Sequence, residues 1–141
     1  MSVRRAIESD LEAIHPLLEQ LMYAEAQQRL AIWNEVVKEE NYAAWVAEED
    51  RRLVGFIDLF IFPDVAHGHS LGVISNLVID EHFRGRGLGK DLLREAIEHC
   101  KQRAVAELHV WTDVDNEPAI TPYERQGFIK RSVLLELQLE R

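Results

Sequence analysis

Three glycines, Gly85, Gly87 and Gly89, alternate with Arg86 and Leu88 directly between an apolar run ending at Ile79 and an amphipathic stretch that starts at Leu88. Residues 72–79 are β-rich and apolar at both parities, as in a central strand buried on both faces. From Leu88 the apolar positions Leu92, Leu93, Ala96, Ile97 and Cys100 recur at helical spacing, which predicts a long helix to about Arg103. A strand entering a helix through glycines is a fixed unit around which the remainder must be arranged.

On the N-terminal side, residues 3–7 read as a short strand. Ser9 or Asp10 can cap a helix carrying Leu11, Ile14, Leu17, Leu18, Leu21 and Met22, with Pro16 marking a late start or a bend. Residues 27–41 predict a second short helix. Residues 42–48 and 53–62 predict two strands joined as a hairpin by the charged turn Glu49-Asp50-Arg51-Arg52, and residues 63–68 a loop. Beyond the long helix, residues 105–112 read as a strand and 116–125 as a helix stopped by Gly127. The alternation in 128–139 predicts one or two closing strands. The fold class is therefore α/β (α+β), a mixed central sheet flanked by helices, in one domain spanning residues 1–141.

The glycines leave backbone amides unshielded and permit positive φ, and the first N–H groups of a helix lack internal partners and carry partial positive charge. Arg84, Arg86 and Lys90 add cations, so the turn can hold a phosphate. Alternatively it is a flexible turn with solvated arginines. Two common phosphate patterns fail: a nucleotide P-loop needs four residues before Gly-Lys and Ser or Thr after it, whereas here three intervene and Asp91 follows. The dinucleotide fingerprint would place its third glycine at Lys90 or Leu92.

What remains is Arg84-x-x-Gly87-x-Gly89, which resembles the acyl-coenzyme A motif R/Q-x-x-G-x-G/A of the acetyltransferase (GNAT) superfamily. Downstream, Asn116-x-x-Ala119-x-x-x-Tyr123-Glu124-x-x-Gly127-Phe128 is similar to that family's later motif at every fixed position. The resemblance is strong over residues 72–128, while the first seventy residues match only in element order.

The resemblance implies the acyl-CoA N-acyltransferase fold and acetyl-CoA as co-substrate, with no metal. Its pantetheine arm would pair with the backbone of Leu77, Val78 and Ile79. Arg84, Gly85, Arg86, Gly87, Leu88, Gly89 and Lys90 would surround the pyrophosphate, and Asn116 would sit near the pantetheine. A primary amine of a small molecule or protein would attack the thioester directly, and Tyr123 would protonate the departing thiolate. The alternative is a catalytically inactive CoA-binding sensor or regulatory domain.

Two departures from the family pattern stand out. The strand before the glycine turn lacks the carboxylate that many relatives carry there. A water relay from Asp58, Glu107, His109, His67 or His69 would have to serve as base, and the acceptor amine is unidentified. Pro122 replaces a bulky apolar residue before Tyr123 and should delay or split that helix. His67-Gly68-His69 has too few further ligands at readable spacing for a metal site. Cys100 reads as core packing, and Trp33 as packing within the segment that shapes the acceptor pocket in this family.

The charge balance of 25 acidic against 16 basic residues gives a formal net charge of −9, which disfavours nucleic acid and anionic membrane as partners and favours cationic substrates. No apolar run approaches the ~20 residues needed to span a membrane, and no signal-peptide pattern is present, so a cytoplasmic location is expected. Exposed terminal strands would permit a homodimer without requiring one.

Overall fold

The structure, a computed structural model, describes residues 2–139. The chain forms two compact units, one ending at His109 and the other beginning at Val110. In chain order the elements are β1 (Ser2–Arg5), α1 (Leu11–Glu19), α2 (Ala26–Val36), β2 (Tyr42–Glu49), β3 (Arg52–Asp64), β4 (His69–Ile79), α3 (Leu88–Gln102), β5 (Glu107–Val110) and α4 (Glu117–Arg125). The strands form one mixed sheet in the order β1-β2-β3-β4-β5, antiparallel from β1 through β4, with α3 connecting β4 to β5.

The β2–β3 hairpin closes through Asp50 and Arg51, both at positive φ (51° and 64°), the conformation that matches the twist of paired strands. At the N-terminus, Asp10 accepts two hydrogen bonds from the Arg4 guanidinium at 2.9 and 3.0 Å and one from the Ile7 N–H at 2.8 Å. That bidentate pair fixes β1 against the entry to α1. Leu11, Ile14 and Leu17 of α1 then pack with Trp33 of α2 and with Tyr42, Ala44, Val46, Phe56 and Val78 of the sheet. Burying each large side chain of this cluster contributes about 1.5–3 kcal/mol before conformational entropy is charged against it.

The opposite sheet face carries α3, which buries Leu88, Leu92, Leu93, Ala96 and Cys100 as its periodicity predicts. Burial pushes the Cys100 thiol up to about 11, the behaviour of a packing group rather than a nucleophile.

Several boundaries differ from the sequence reading. The second helix ends at Val36, not near Asn41, because the chain must turn to bring the buried Tyr42 into the sheet. The hairpin after β3 is tighter than predicted: Asp64 pairs with His69, so the strands extend almost to Gly68 and only four residues separate them. Pro16 lies inside α1 and Pro122 inside α4, and neither helix is split or delayed. Each proline is the sixth residue of its nine-residue helix, past the first turn, and removes one i→i−4 bond without ending the helix.

The strands expected in residues 128–139 are not formed; the described segment has no regular structure. Its alternation supplies a face to bury but no hydrogen-bonding neighbour, and a strand needs both. Val133, Leu135 and Leu137 accordingly stand exposed.

Candidate active site

The centre of the first unit is shaped by an irregularity in β4. Asp58 of β3 pairs with Asn76, but Leu59 pairs with Ile74, leaving Ser75 as an extra residue. Side chains alternate between faces along a strand, so one inserted residue exchanges the parity. Gly72 and Ile74 therefore share the α3 face with Ile61 and Leu59, whereas Asn76 and Val78 share the α1–α2 face with Asp58 and Phe56. The polar pair Ser75-Asn76 inside an otherwise apolar strand is the one sequence signal of this feature.

Asn76 Nδ2 donates to Asp58 Oδ1 at 3.0 Å and to Oδ2 at 3.2 Å, and the Tyr42 hydroxyl donates to Oδ2 at 2.7 Å. Burial pushes the Asp58 carboxyl up to about 6, although both neighbours stabilise its ionised form. Tyr42 is raised still further, first by burial and then by the Asp58 charge. Sequence reasoning included Asp58 among five candidate bases but missed Tyr42 and Asn76.

These three residues line a solvent-open cavity of about 350 Å³ between the sheet and the first two helices. Its walls include Leu18, Met22, Ile32, Trp33, Phe56 and Phe60. Trp33 packs as expected: it is buried in the core and its indole N–H donates to the Glu8 carbonyl at 2.8 Å; it is also among the residues lining the cavity.

The other four candidate bases stand elsewhere. His67, His69, Glu107 and His109 form an exposed group at the far end of β4, where His67 and His69 both face the Glu107 carboxylate at 3.5 and 3.8 Å. His109 joins the same carboxylate at 3.3 Å. At about 3.3 Å per strand residue, His69 lies roughly 23 Å along β4 from Asn76.

Beyond the bulge, β5 does not accompany β4. β5 has four residues against eleven in β4, and Ala106 N–H donates to the Ser70 carbonyl at 3.4 Å, which places β5 beside the start of its neighbour. Leu77 lies about 23 Å further along, out of reach of a strand some 13 Å long. Within the described residues of the first unit, β5 thus leaves the backbone edge at Leu77, Val78 and Ile79 unpaired. Val78 is buried towards α1, and Leu77 and Ile79 are half-buried on the α3 side.

That edge runs into the glycine turn. Asp80, buried at 5% exposure, accepts from the His82 N–H and from Arg52, and its own N–H donates to the Val54 carbonyl at 2.8 Å. Gly85 and Gly87 both take positive φ (80° and 83°), and a Cβ at either would meet nothing within 4 Å. Gly87 is the N-cap of α3 and offers no capping side chain. Among the described residues, the N–H groups of Leu88, Gly89 and Lys90 have no acceptor, and the first backbone bond of the helix is Asp91 N–H to the Gly87 carbonyl at 3.1 Å. The arrangement leaves a row of donors at the positive end of a fifteen-residue helix, with open space over the glycines.

The cations are not all aimed at this row. Arg84 Nε donates back to the Ile79 carbonyl at 3.1 Å, bracing the turn on the strand end. Arg86 pairs with Glu49 at 3.1 Å and stacks 4.8 Å above the Phe83 ring. Lys90 is exposed.

In the second unit, Asn116 caps α4 by position, without a side-chain bond, and Tyr123 follows seven residues later on the same helical face. The Tyr123 ring packs edge-on against Phe128 at 5.4 Å. Burial pushes its hydroxyl up to about 12. The Tyr123 carbonyl accepts from Gln126 and Phe128, and Gly127, at φ 101°, ends the helix as the motif predicts.

A mixed five-stranded sheet with α1 and α2 on one face, α3 on the other and a glycine turn after β4 is the acyl-CoA N-acyltransferase fold. The solved aminoglycoside N-acetyltransferase AAC(6')-Iy in complex with CoA shares it at a TM-score of 0.88, covering 99% of this chain and 95% of that one at 20% identity. The acetyltransferase (GNAT) family profile matches residues 5–128, and the chain belongs to that family. It is 31% identical over 101 residues to an uncharacterized N-acetyltransferase of Methanocaldococcus jannaschii, a match covering 70% of this chain and 44% of that protein. To N-alpha-acetyltransferase 30 of Schizosaccharomyces pombe it is 34% identical over 88 residues, 62% of this chain and 57% of the relative. The chain thus spans about half the length of these curated relatives.

Proposed function

We propose that the chain transfers the acetyl group of acetyl-CoA directly to a primary amine. The observation that carries this reading is the row of acceptor-free N–H groups at Leu88, Gly89 and Lys90, set directly after a strand edge that β5 leaves unpaired. A diphosphate fits the first feature and an extended amide-bearing arm fits the second, as an added strand would. Gly85 and Gly87 leave room for close approach, since no atom lies where their Cβ would be.

Bound at that place, acetyl-CoA would supply an activated thioester carbonyl. The residues of the chain would do the rest. The backbone of Leu77, Val78 and Ile79 would orient the pantetheine, and the amides from Gly85 to Lys90 would hold the pyrophosphate. Arg84 would keep the turn in register, with Asn116 contributing to the arm's site. Binding energy from this non-reacting tail would then position the reactive carbon. The later motif assigns Tyr123 as proton donor to the thiolate, and its raised hydroxyl is protonated throughout the neutral range.

Calorimetric titration of the full chain with CoA and acetyl-CoA, followed by thiol release across an amine panel, tests the reading. Saturable binding and amine-dependent thiol release are expected. Absence of binding to well-folded protein overturns it.

A further inference from the structure

We propose that the cavity over Asp58 is the acceptor site and that it selects a small primary amine with an apolar body, its ammonium group seated on the Asp58 carboxylate. This rests on the acetyltransferase reading above and names its substrate class. The cavity ends on Asn76, the residue immediately before the strand edge assigned to the pantetheine, so an amine held there is beside the thioester's expected place.

The chemistry of the walls decides the class. Among the described residues Asp58 is the only acidic side chain lining the cavity, and it lies at 6% exposure with both oxygens already receiving neutral donors, Tyr42 and Asn76. Neither donor neutralises it. A buried carboxylate without a cationic partner is costly, and a ligand ammonium would relieve that cost. Arg29, the one cation among the described lining residues, does not serve: it is held by Glu19 at 2.9 Å and by the Met22 carbonyl at 3.0 Å. Apart from the uncharged Gln28, the remaining described lining is aliphatic and aromatic, with Leu18, Met22, Ile32, Trp33, Phe56 and Phe60 among it.

A polyamine or an amino sugar would bring several charges and hydroxyls to walls that offer one carboxylate, so the groups beyond the first gain no ionic partner there while displacing apolar contact. At about 350 Å³ the space lies at the low end for small-molecule sites, which suits a single ring or a short alkyl chain.

Asp58 would also carry the proton balance. The ammonium transfers one proton to the carboxylate, and the neutral nitrogen bonds to the acetyl carbon as the carbon–sulfur bond breaks. The thiolate would take the Tyr123 proton, the nitrogen would pass its second proton to water, and Asp58 and Tyr123 would regain their resting states by exchange with water. The sum is ammonium plus thioester giving amide, thiol and one proton.

The test compares kcat/KM for benzylamine, 2-phenylethylamine and hexylamine with spermidine, an aminoglycoside and an alanyl tripeptide, using the full chain at fixed acetyl-CoA. The three apolar monoamines should lead by at least tenfold. Preference for the polycations or the peptide overturns the proposal while leaving acetyl transfer standing, whereas CoA binding without thiol release from any amine overturns both.

Asp58→Asn supplies the second arm. It should raise the KM for benzylamine at least tenfold with the CoA dissociation constant unchanged, and benzyl alcohol, which has the same body without the charge, should inhibit parent and variant alike. An unchanged benzylamine KM removes Asp58 from the site.

Discussion

The Tyr42 hydroxyl and the Asp58 carboxylate meet at 2.7 Å with both residues all but withdrawn from water, at 3% and 6% exposure. Tyr42 opens β2 and Asp58 lies in the middle of β3, sixteen residues later in the chain. The hydrogen bond favours the ionised carboxyl, yet burial outweighs it and leaves Asp58 titrating near 6. A folded-state value above the unfolded one means that the native protein binds this proton more tightly. Ionising Asp58 therefore costs stability progressively as pH rises from about 4 to about 6, by roughly 3 kcal/mol in all.

Asp58→Asn removes that cost while keeping an acceptor for the Tyr42 hydroxyl. Urea unfolding should find the variant and parent equal near pH 4, with the variant ahead by about 2–3 kcal/mol at pH 8. A gap that does not grow with pH would show that the native carboxylate is ionised without penalty. The same variant should show at least tenfold lower kcat/KM for benzylamine, so this position exchanges stability for activity.

Tyr123 offers a cleaner separation of chemistry from binding. Its ring packs against Phe128, so Tyr123→Phe keeps that contact and deletes only the hydroxyl. Turnover should fall at least tenfold with acetyl-CoA affinity unaltered, in line with the usual worth of a positioned proton donor. Because burial holds the hydroxyl near 12, the parent's pH–rate profile should show no alkaline decline from this group below about pH 10. Unchanged single-turnover rates in the variant would remove the assignment.

The glycine turn and α3 were legible because their signals are local. Three glycines and a helical repeat lie within nineteen consecutive residues, 85–103, and nothing distant alters what they form. The cavity was not legible in the same way. Tyr42, Asp58 and Asn76 converge from three strands, and Asn76 faces Asp58 only because Ser75 is bulged; with regular pairing its parity would put it under α3. The closing strands failed for the converse reason, since the alternation of residues 133–139 describes a face and is silent about the neighbour that would pair with it. Propensity alone predicts that Pro122 delays or splits α4, yet the helix runs through it from Glu117 to Arg125.

The Arg4–Asp10 pair has the opposite pH sign from Asp58. Arg4 first, and then the Ile7 N–H, hold the Asp10 carboxyl below the usual range despite its burial. The stability from this depressed group is present above the unfolded value and is lost as pH falls through the folded one. Asp10→Asn should cost about 1–3 kcal/mol at pH 7, the usual worth of hydrogen bonds to a charged group. The difference from the parent should begin to shrink as pH falls below the ordinary carboxylate value, about 4, and continue to do so through the depressed value of the folded parent. Parallel denaturation curves at pH 7 and pH 3 check both the size and the direction.

Gly87 and Gly89 are two residues apart and should answer to alanine in opposite ways. Gly87 sits at φ 83°, where a Cβ meets no atom but the backbone itself is strained for any L side chain. Gly87→Ala should therefore cost about 1–2 kcal/mol of stability. Gly89 is inside the first turn of α3 at ordinary helical φ, and the nearest atom to its added Cβ is Ile79 Cγ1 at 3.8 Å, an ordinary contact. Gly89→Ala should leave stability unchanged or raise it by up to about 1 kcal/mol through helix propensity. Loss of CoA affinity in Gly89→Ala would then report on ligand approach alone, since the fold is undisturbed, whereas in Gly87→Ala weakened binding and a lower melting temperature should appear together. Paired thermal melts and CoA titrations of the two variants decide it, and a destabilised Gly89→Ala beside an unaffected Gly87→Ala would contradict the assigned geometry of the turn.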